Sequence, residues 1–184
     1  SKEIIINIFP QLKYYERLKT FNNLNEKIKS RFDVSLILAL FILDESNDYE
    51  YFCHKYKTSN NIKARFKNIT KNYENLKNKK FYFVENIKKL IYLSNKNYVM
   101  DLILFSTCIS NKKTTFNIEE LLNYIDTCKI PKFPLSGDYL KEQGYESGQK
   151  LGKKLKSLEE KWIENNFVID KKLLEKSLRK IDES

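Results

Sequence analysis

One segment of the chain combines glycines and lysines in a pattern that suits phosphate binding. Gly144 is placed to end a short helix in a left-handed conformation, and Gly148 is placed to begin a second helix, whose first N–H groups have no partners within it. Such N–H groups, with the positive end of the helix dipole, attract phosphate. Three lysines follow on the first turns of the second helix: Lys150, Lys153 and Lys154. The segment therefore predicts a contact with a phosphate.

The same glycines also fit a helical hairpin that packs and binds nothing. Residues 133–163 contain all four glycines of the chain, which are Gly137, Gly144, Gly148 and Gly152. Gly152 removes side-chain bulk where another helix could cross, so we expect it to serve packing. The spacing of these glycines leaves both interpretations open.

A second basic feature lies in the middle of the chain. Between residues 55 and 80 the only acidic residue is Glu74, against nine basic residues: Lys55, Lys57, Lys63, Arg65, Lys67, Lys71, Lys77, Lys79 and Lys80. Lys63, Lys67 and Lys71 are four residues apart and predict one ridge on a helix. Like charges at this spacing repel, and an RNA backbone would relieve the repulsion. The alternative is a solvated lysine-rich face with no partner.

Residues suited to catalysis or metal binding are scarce. The three cysteines are too far apart for a zinc knuckle, and the chain has a single histidine, His54. We interpret the cysteines as buried thiols in a reducing compartment: Cys53, Cys108 and Cys128. The paired acids at 119–120 and 159–160 are adjacent on predicted helices and do not face each other. The sequence therefore predicts no catalytic residue and no metal site in this chain.

The composition favours an acidic partner. The chain has 184 residues and a formal net charge of +10, which points to polyanions or acidic surfaces. The basic residues are nearly all lysine, so codon bias explains part of this charge. The longest apolar runs reach about half of the ~20 residues that a membrane span needs. We expect a soluble, cytoplasmic protein with no cofactor of its own.

Apolar residues recur at helical spacing through most of the chain, and no strand is convincing. An amphipathic helix is predicted over residues 11–29, and the apolar stretch 34–43, capped by Asp33, predicts a central buried helix. Further helices are predicted over about 48–56, 60–76, 82–93, 95–109 and 118–129. Their expected caps are Thr58 or Ser59, Asn95 or Asn97, and Asn117 with Glu120. The fold class is therefore all-α.

Two prolines mark the predicted domain boundary. Pro131 and Pro134 cannot continue a helix and bias the residues before them to extended backbone. We assign residues 1–130 to a helical body and residues 131–184 to a small C-terminal tail. In the tail the glycine segment precedes a last helix, which is capped by Asp170 and is expected to bury Leu174, Leu178 and Ile181.

The glycine segment resembles the C-terminal signature of bacterial tRNA nucleotidyltransferases, the family of CCA-adding enzymes and poly(A) polymerases. The matching positions are Phe133, Pro134, Gly137, Leu140, Gly144, Gly148, Leu151, Gly152, Glu159, Trp162 and Ile163. Tyr139 stands where the family usually has Asp, and Gln149 where it has Pro, but the spacing is intact. The stretches "IFPQLKYYERL" and "VSLILALFIL" are loosely similar to the helical body of the family.

The resemblance implies an RNA-binding body and tail that hold tRNA or other RNA for a separate catalytic head, in cis or in trans. In the family an α/β head carries a Gly-Ser motif and an Asp-x-Asp pair that holds magnesium, and neither motif occurs in this sequence. The resemblance therefore implies that this chain alone is inactive as a nucleotidyltransferase. The alternative from another class is a helical protein-interaction module with no RNA role.

Overall fold

A computed structural model describes residues 9–77, 84–109 and 117–169, and within these ranges it contains eleven helices and no strand. The predicted all-α fold is thus confirmed. The helices are α1 Arg17–Asn22, α2 Glu26–Lys29, α3 Val34–Ile42, α4 Asp48–Lys55, α5 Asn60–Lys71, α6 Tyr73–Lys77, α7 Val84–Leu93, α8 Lys96–Ile109, α9 Ile118–Thr127, α10 Gly137–Glu142 and α11 Gln149–Glu164. The predicted helix after Asp170, and Lys79 and Lys80, lie outside the described residues. No described helix is both long and apolar enough to cross a membrane.

Short polar side chains start four of these helices at predicted positions. Asp33 accepts a hydrogen bond from the Leu36 amide at 2.8 Å. Of the two predicted pairs of caps, Ser59 and Asn95 are the residues whose side chains accept such a hydrogen bond. Asn117 accepts from the Glu119 amide at 3.1 Å, while its own amide group donates to the Glu120 carboxylate at 3.1 Å. Each cap satisfies N–H groups that the first turn of a helix leaves without partners.

Helix α8 is the centre of the first part of the chain. It contacts α1, α3, α5, α6, α7 and α9. Its buried side chains point in all directions around the helix and are Val99, Asp101, Leu102, Ile103, Leu104, Phe105, Ser106 and Cys108. The predicted buried helix α3 is fully buried on one side only, because Val34 is 82% exposed and Ile37, Leu38 and Phe41 are half-buried. Helix α3 packs against α1 and α8.

The amphipathic helix predicted over residues 11–29 is broken in the structure. The amides of Lys13 and Tyr14 both donate to the Phe41 carbonyl at the end of α3, at 2.9 and 3.1 Å. These residues therefore cannot join a helix, which starts only at Arg17. Asn25 then accepts a hydrogen bond from the Ile28 amide and starts α2 separately. The single helix predicted over 60–76 is likewise divided, at Asn72.

A buried arginine closes the end of α3. Arg17 is only 6% exposed, and its Nη1 donates to the carbonyls of Leu40 and Leu43 at 2.9 and 2.6 Å. Its Nη2 donates to the Tyr73 hydroxyl at 2.9 Å, and the guanidinium lies 3.8 Å from the centre of the Tyr14 ring. The side chain thus satisfies carbonyl groups that the last turn of α3 leaves without helical partners.

The chain divides into two units between Cys128 and Lys129, close to the predicted boundary at Pro131. The second unit contains α10 and α11, which contact each other. Trp162 on α11 packs against Phe133 and Phe167, with ring centres 5.3 and 5.0 Å away. The amides of Asn166 and Phe167 donate to the Ile163 and Trp162 carbonyls, which ends α11 next to the same aromatic group.

Candidate nucleic-acid interface

Helix α5 carries the lysine face, which consists of Lys63, Lys67 and Lys71. All three side chains are exposed, and the helical rise separates successive members by about 6 Å along the axis. None of them forms an ion pair with any residue that the structure describes. Helix α5 contains no acidic residue, so this positive face has no neutralising charge on its own helix.

Arg65, which belongs to the same basic stretch, points away from the lysine face. Its Nε and Nη2 donate to the two carboxylate oxygens of Asp101 on α8, each at 2.5 Å. Its Nη1 donates to Asp33 at 2.5 Å and to Ser35 at 2.8 Å. All three guanidinium nitrogens donate hydrogen bonds within this network, so Arg65 is not available to bind a phosphate. Its role is to join α5 to the start of α3 and to α8.

Burial and ion pairing oppose each other in this network. Burial raises the pKa of Asp101 above its ordinary value in spite of its hydrogen bonds from Arg65. Burial alone would lower the pKa of Arg65, but hydrogen bonds to Asp101 and Asp33 outweigh burial and raise it. Burial would raise the pKa of Asp33, but hydrogen bonds from Arg65, the Leu36 amide and Ser35 leave it below its ordinary value. Arg65 is thus a permanent cation that serves the fold rather than the surface.

The turn between α10 and α11 has the predicted conformation at Gly144. Its φ is +90°, its amide donates to the Lys141 carbonyl at 2.9 Å, and the next amide, of Tyr145, donates to the Leu140 carbonyl at 3.1 Å. This pair of hydrogen bonds ends a helix with a left-handed residue, and it favours glycine at that position. Gly144 therefore ends α10 as its spacing predicts.

Gly148 begins α11 with a backbone conformation that side chains rarely adopt. Its φ is +136° and its ψ is −165°, and no side chain caps the helix there. The first turn of α11 also contains no acidic residue. The N–H groups at this end of α11 are therefore not paired with a capping side chain, as a phosphate contact would require.

The three lysines predicted beside this turn differ in exposure. Lys150 and Lys153 are exposed. Lys154 is half-buried, and its Nζ lies 5.7 Å from the centre of the Tyr145 ring. Lys150 and Lys153 thus remain candidates for a phosphate contact, whereas Lys154 also packs on its own unit.

The packing role predicted for Gly152 is wrong. A Cβ added at Gly152 would meet no atom within 4 Å, and the residue is exposed. At Gly137, which begins α10, an added Cβ would lie 3.4 Å from the Leu151 side chain of α11, an ordinary van der Waals contact. Neither glycine is therefore required for the two helices of the hairpin to pack together.

The structure groups the candidate residues by unit. The lysine face lies on one helix of the first unit, and the residues Gly144, Gly148, Lys150, Lys153 and Lys154 lie along one turn and helix of the second.

Among the described residues, no group of three or more His, Cys, Asp or Glu side chains is arranged to hold a metal ion. All three cysteines are buried and none forms a disulfide, and burial raises the pKa of Cys108 to about 11.

Sequence reasoning missed the structural roles of the arginines. The chain contains 34 basic residues, and the three described arginines all make specific hydrogen bonds: Arg17 to backbone carbonyls, Arg31 to Asp126 and Arg65 to two carboxylates. Only arginine offers a planar fork of donors. Because nearly all other basic residues of the chain are lysine, the few arginines were the feature of the sequence that could have indicated these structural roles.

Comparisons of this chain with protein-family models, with curated proteins and with solved structures found no match.

Proposed function

We propose that this chain binds RNA through the lysine face of α5. The observation that carries the proposal is that three exposed lysines follow one another along a helix with no acidic residue, and that none of the three pairs with a described residue. Other exposed lysines of the chain do have carboxylate partners, as in the pairs Lys13–Asp48, Lys27–Glu119 and Lys141–Asp138. A row of positive charges without partners suits a phosphate backbone, whose binding releases counterions.

A second contact is proposed at the start of α11. Gly148 leaves the first N–H groups of this helix without a capping side chain, and Lys150 and Lys153 lie exposed on its first turns. A helix N-terminus of this kind binds phosphate through its N–H groups and its dipole. Gly144 serves this contact indirectly, because it sets the turn that leads into α11.

The wider proposal rests on the resemblance of residues 133–163 to the tRNA nucleotidyltransferases. In that interpretation the chain is a cytoplasmic body and tail that hold tRNA, or another RNA, by shape and phosphate contacts. A catalytic head that binds magnesium, in cis or in trans, performs nucleotidyl transfer on the RNA 3′ end. The isolated chain is then expected to bind RNA without adding nucleotides to it.

The test is the salt dependence of tRNA binding at about 50 and about 200 mM salt. Replacing Lys63, Lys67 and Lys71 by Gln removes three phosphate contacts, so affinity falls and the slope of log K against log salt becomes shallower by about 2 to 3. The melting temperature stays nearly unchanged, because exposed side chains contribute little to stability.

A matched control removes the same charge elsewhere. Replacing the exposed residues Lys19, Lys132 and Lys156 by Gln lowers the net charge equally and leaves the lysine face intact. If the two triple variants lose tRNA affinity to the same extent, binding follows net charge alone and the lysine face is not the contact. If neither variant loses affinity, the lysine face is a solvated surface.

A further inference from the structure

A small cavity in the first unit has a chemical character different from that of the lysine face. It has a volume of about 270 Å³ and is lined by Pro10, Gln11, Lys13, Ile42, Asp48 and Tyr51. This volume lies just below the range of about 300 to 1,000 Å³ typical of small-molecule sites. The cavity is therefore large enough for one side chain of a partner and too small for a folded element.

The walls of the cavity combine an exposed aromatic ring with a carboxylate. Tyr51 is 60% exposed, and Lys55 Nζ lies 5.9 Å from the centre of its ring, so the ring already attracts a cation. Asp48 lies at the start of α4, where its carboxylate accepts a hydrogen bond from Lys13 Nζ at 2.7 Å. The Gln11 side-chain oxygen faces the Tyr56 hydroxyl at 3.5 Å and retains capacity to accept another hydrogen bond.

The charge around this cavity is opposite to that of the chain as a whole. The segment 44–50, which supplies Asp48, contains four acidic residues and no basic one: Asp44, Glu45, Asp48 and Glu50. Lys13 and Lys55 lie close to it and Arg17 interacts with Asp44, so four acids face three cations and the local balance stays negative although the chain carries +10. Asp48 is the acid that lines the cavity. Such a surface repels a phosphate backbone and attracts a cation.

We propose that this cavity binds an arginine side chain of a partner protein. The guanidinium plane stacks on the Tyr51 ring, and its N–H groups donate to the Asp48 carboxylate and to Gln11. Arginine fits better than lysine, because its planar fork both stacks on an aromatic ring and pairs with a carboxylate. This surface is separate from the lysine face and does not depend on RNA binding.

In the free protein, Lys13 forms an ion pair with the Asp48 carboxylate. The side chains of Lys13 and Asp48 are 44% and 61% exposed, and an ion pair this exposed contributes little to stability. An incoming guanidinium can therefore displace Lys13 at small cost. Removing the Lys13 charge then strengthens binding of the partner rather than weakening it.

The experiment uses the full chain, labelled with ¹⁵N, and two blocked pentapeptides. One has a central arginine between alanines and glycines, and the other has citrulline, which is neutral and of the same shape. We expect the arginine peptide to shift the backbone amide signals of Gln11 and Tyr51 and to bind about tenfold more tightly than the citrulline peptide. Equal binding of the two peptides overturns the proposal.

Variants of exposed residues assign the contact. Asp48→Asn weakens the arginine peptide about tenfold, Tyr51→Ala weakens it about two- to fivefold and Tyr51→Phe does not. Lys13→Gln strengthens it. Glu45→Gln, which changes an exposed acid that does not line the cavity, stays within about twofold.

Two results contradict this assignment directly. Unchanged affinity in Asp48→Asn shows that the carboxylate is not the contact. A single-stranded RNA oligonucleotide that shifts the Gln11 and Tyr51 signals, with no loss in Asp48→Asn, shows that the cavity belongs to the RNA surface. Failure of tRNA binding by the lysine face leaves the peptide result unaffected, so the two proposals fail separately.

Discussion

Arg65 and Asp101 meet through two parallel hydrogen bonds between α5 and α8, with Nε and Nη2 each 2.5 Å from a carboxylate oxygen. The Asp101 side chain is only 12% exposed, and the remaining arginine nitrogen binds Asp33 at the start of α3. One side chain thus fixes three helices to one another. The lysine face on the opposite side of α5 depends on this anchor for its orientation.

Removal of the Arg65 charge should strongly destabilise the protein. Arg65→Met leaves Asp101 nearly buried and without its partner, which costs about 3 kcal/mol of unfolding free energy. Arg65→Lys keeps a charge but loses the forked geometry, so it should cost less, about 1 to 2 kcal/mol. Urea unfolding measures both values.

The control for Arg65 is Lys67→Met on the same helix. Lys67 is exposed, so this variant should stay within about 0.5 kcal/mol of the original stability. If instead Arg65→Met kept full stability and lost RNA affinity, Arg65 would belong to the RNA surface and not to the network.

Acid should destabilise the protein below about pH 4, the ordinary pKa of aspartate. Arg65 and the other hydrogen-bond donors hold the pKa of Asp33 below its usual value against the effect of burial. A carboxyl whose folded pKa is lowered binds fewer protons in the folded state than in the unfolded state. Its contribution is therefore present at neutral pH and is lost as pH falls through the folded pKa. Unfolding free energies measured from pH 7 to pH 3 show this loss.

Asp33→Asn isolates the contribution of this one carboxyl. Asparagine still caps α3, since its side chain accepts a hydrogen bond from the Leu36 amide as aspartate does, but it carries no charge at any pH. The variant should be less stable at pH 7 and should lose less stability on acidification. If the unfolding free energy of the variant falls with pH in parallel with that of the original protein, other carboxyls, such as Asp44, control the acid transition.

Replacing the two glycines of α11 by alanine, one at a time, should change the stability of the protein in opposite directions. Gly148 occupies a region of φ and ψ that is essentially restricted to glycine, so Gly148→Ala should cost about 1 to 3 kcal/mol. Gly152 lies inside the helix with open space around it, so Gly152→Ala should stabilise the protein by about 0.5 to 1 kcal/mol. Fluorescence of Trp162, the one tryptophan of the chain, follows unfolding in the same unit.

Each glycine variant serves as the control for the other, because both add one methyl group to the same segment. A loss of stability in Gly152→Ala means that another surface packs against this position. Equal stability of Gly148→Ala and the original protein means that the turn adopts a different conformation in solution.

The three cysteines should be unreactive in the folded protein. All are buried, and burial raises the pKa of Cys108 to about 11, so its thiol stays protonated at neutral pH. Because the thiolate is the reactive form, a thiol reagent at pH 7.5 should modify the cysteines only at the rate of unfolding. Addition of urea should release all three groups together, and rapid reaction of one thiol in buffer would identify it as accessible.

The sequence by itself determined the features that depend on a few neighbouring residues. Asp33, Ser59 and Asn117 start helices because their side chains reach amides two or three residues ahead. Gly144 ends α10 because the left-handed conformation there favours glycine. The inward face of α5 and α6 follows from the helical spacing of their apolar residues: Phe66, Ile69, Tyr73 and Leu76 are buried, and Ile62 is half-buried.

Only the tertiary structure decided features that join distant parts of the chain. The predicted helix over residues 11–29 fails because the Phe41 carbonyl takes the amides of Lys13 and Tyr14. Gly152 lies in open space although its spacing suited a crossing helix. Arg65 belongs by sequence to a basic face, yet its partners Asp33 and Asp101 lie 32 and 36 residues away. No local pattern contains such pairings, because they form only when packing brings α3, α5 and α8 together.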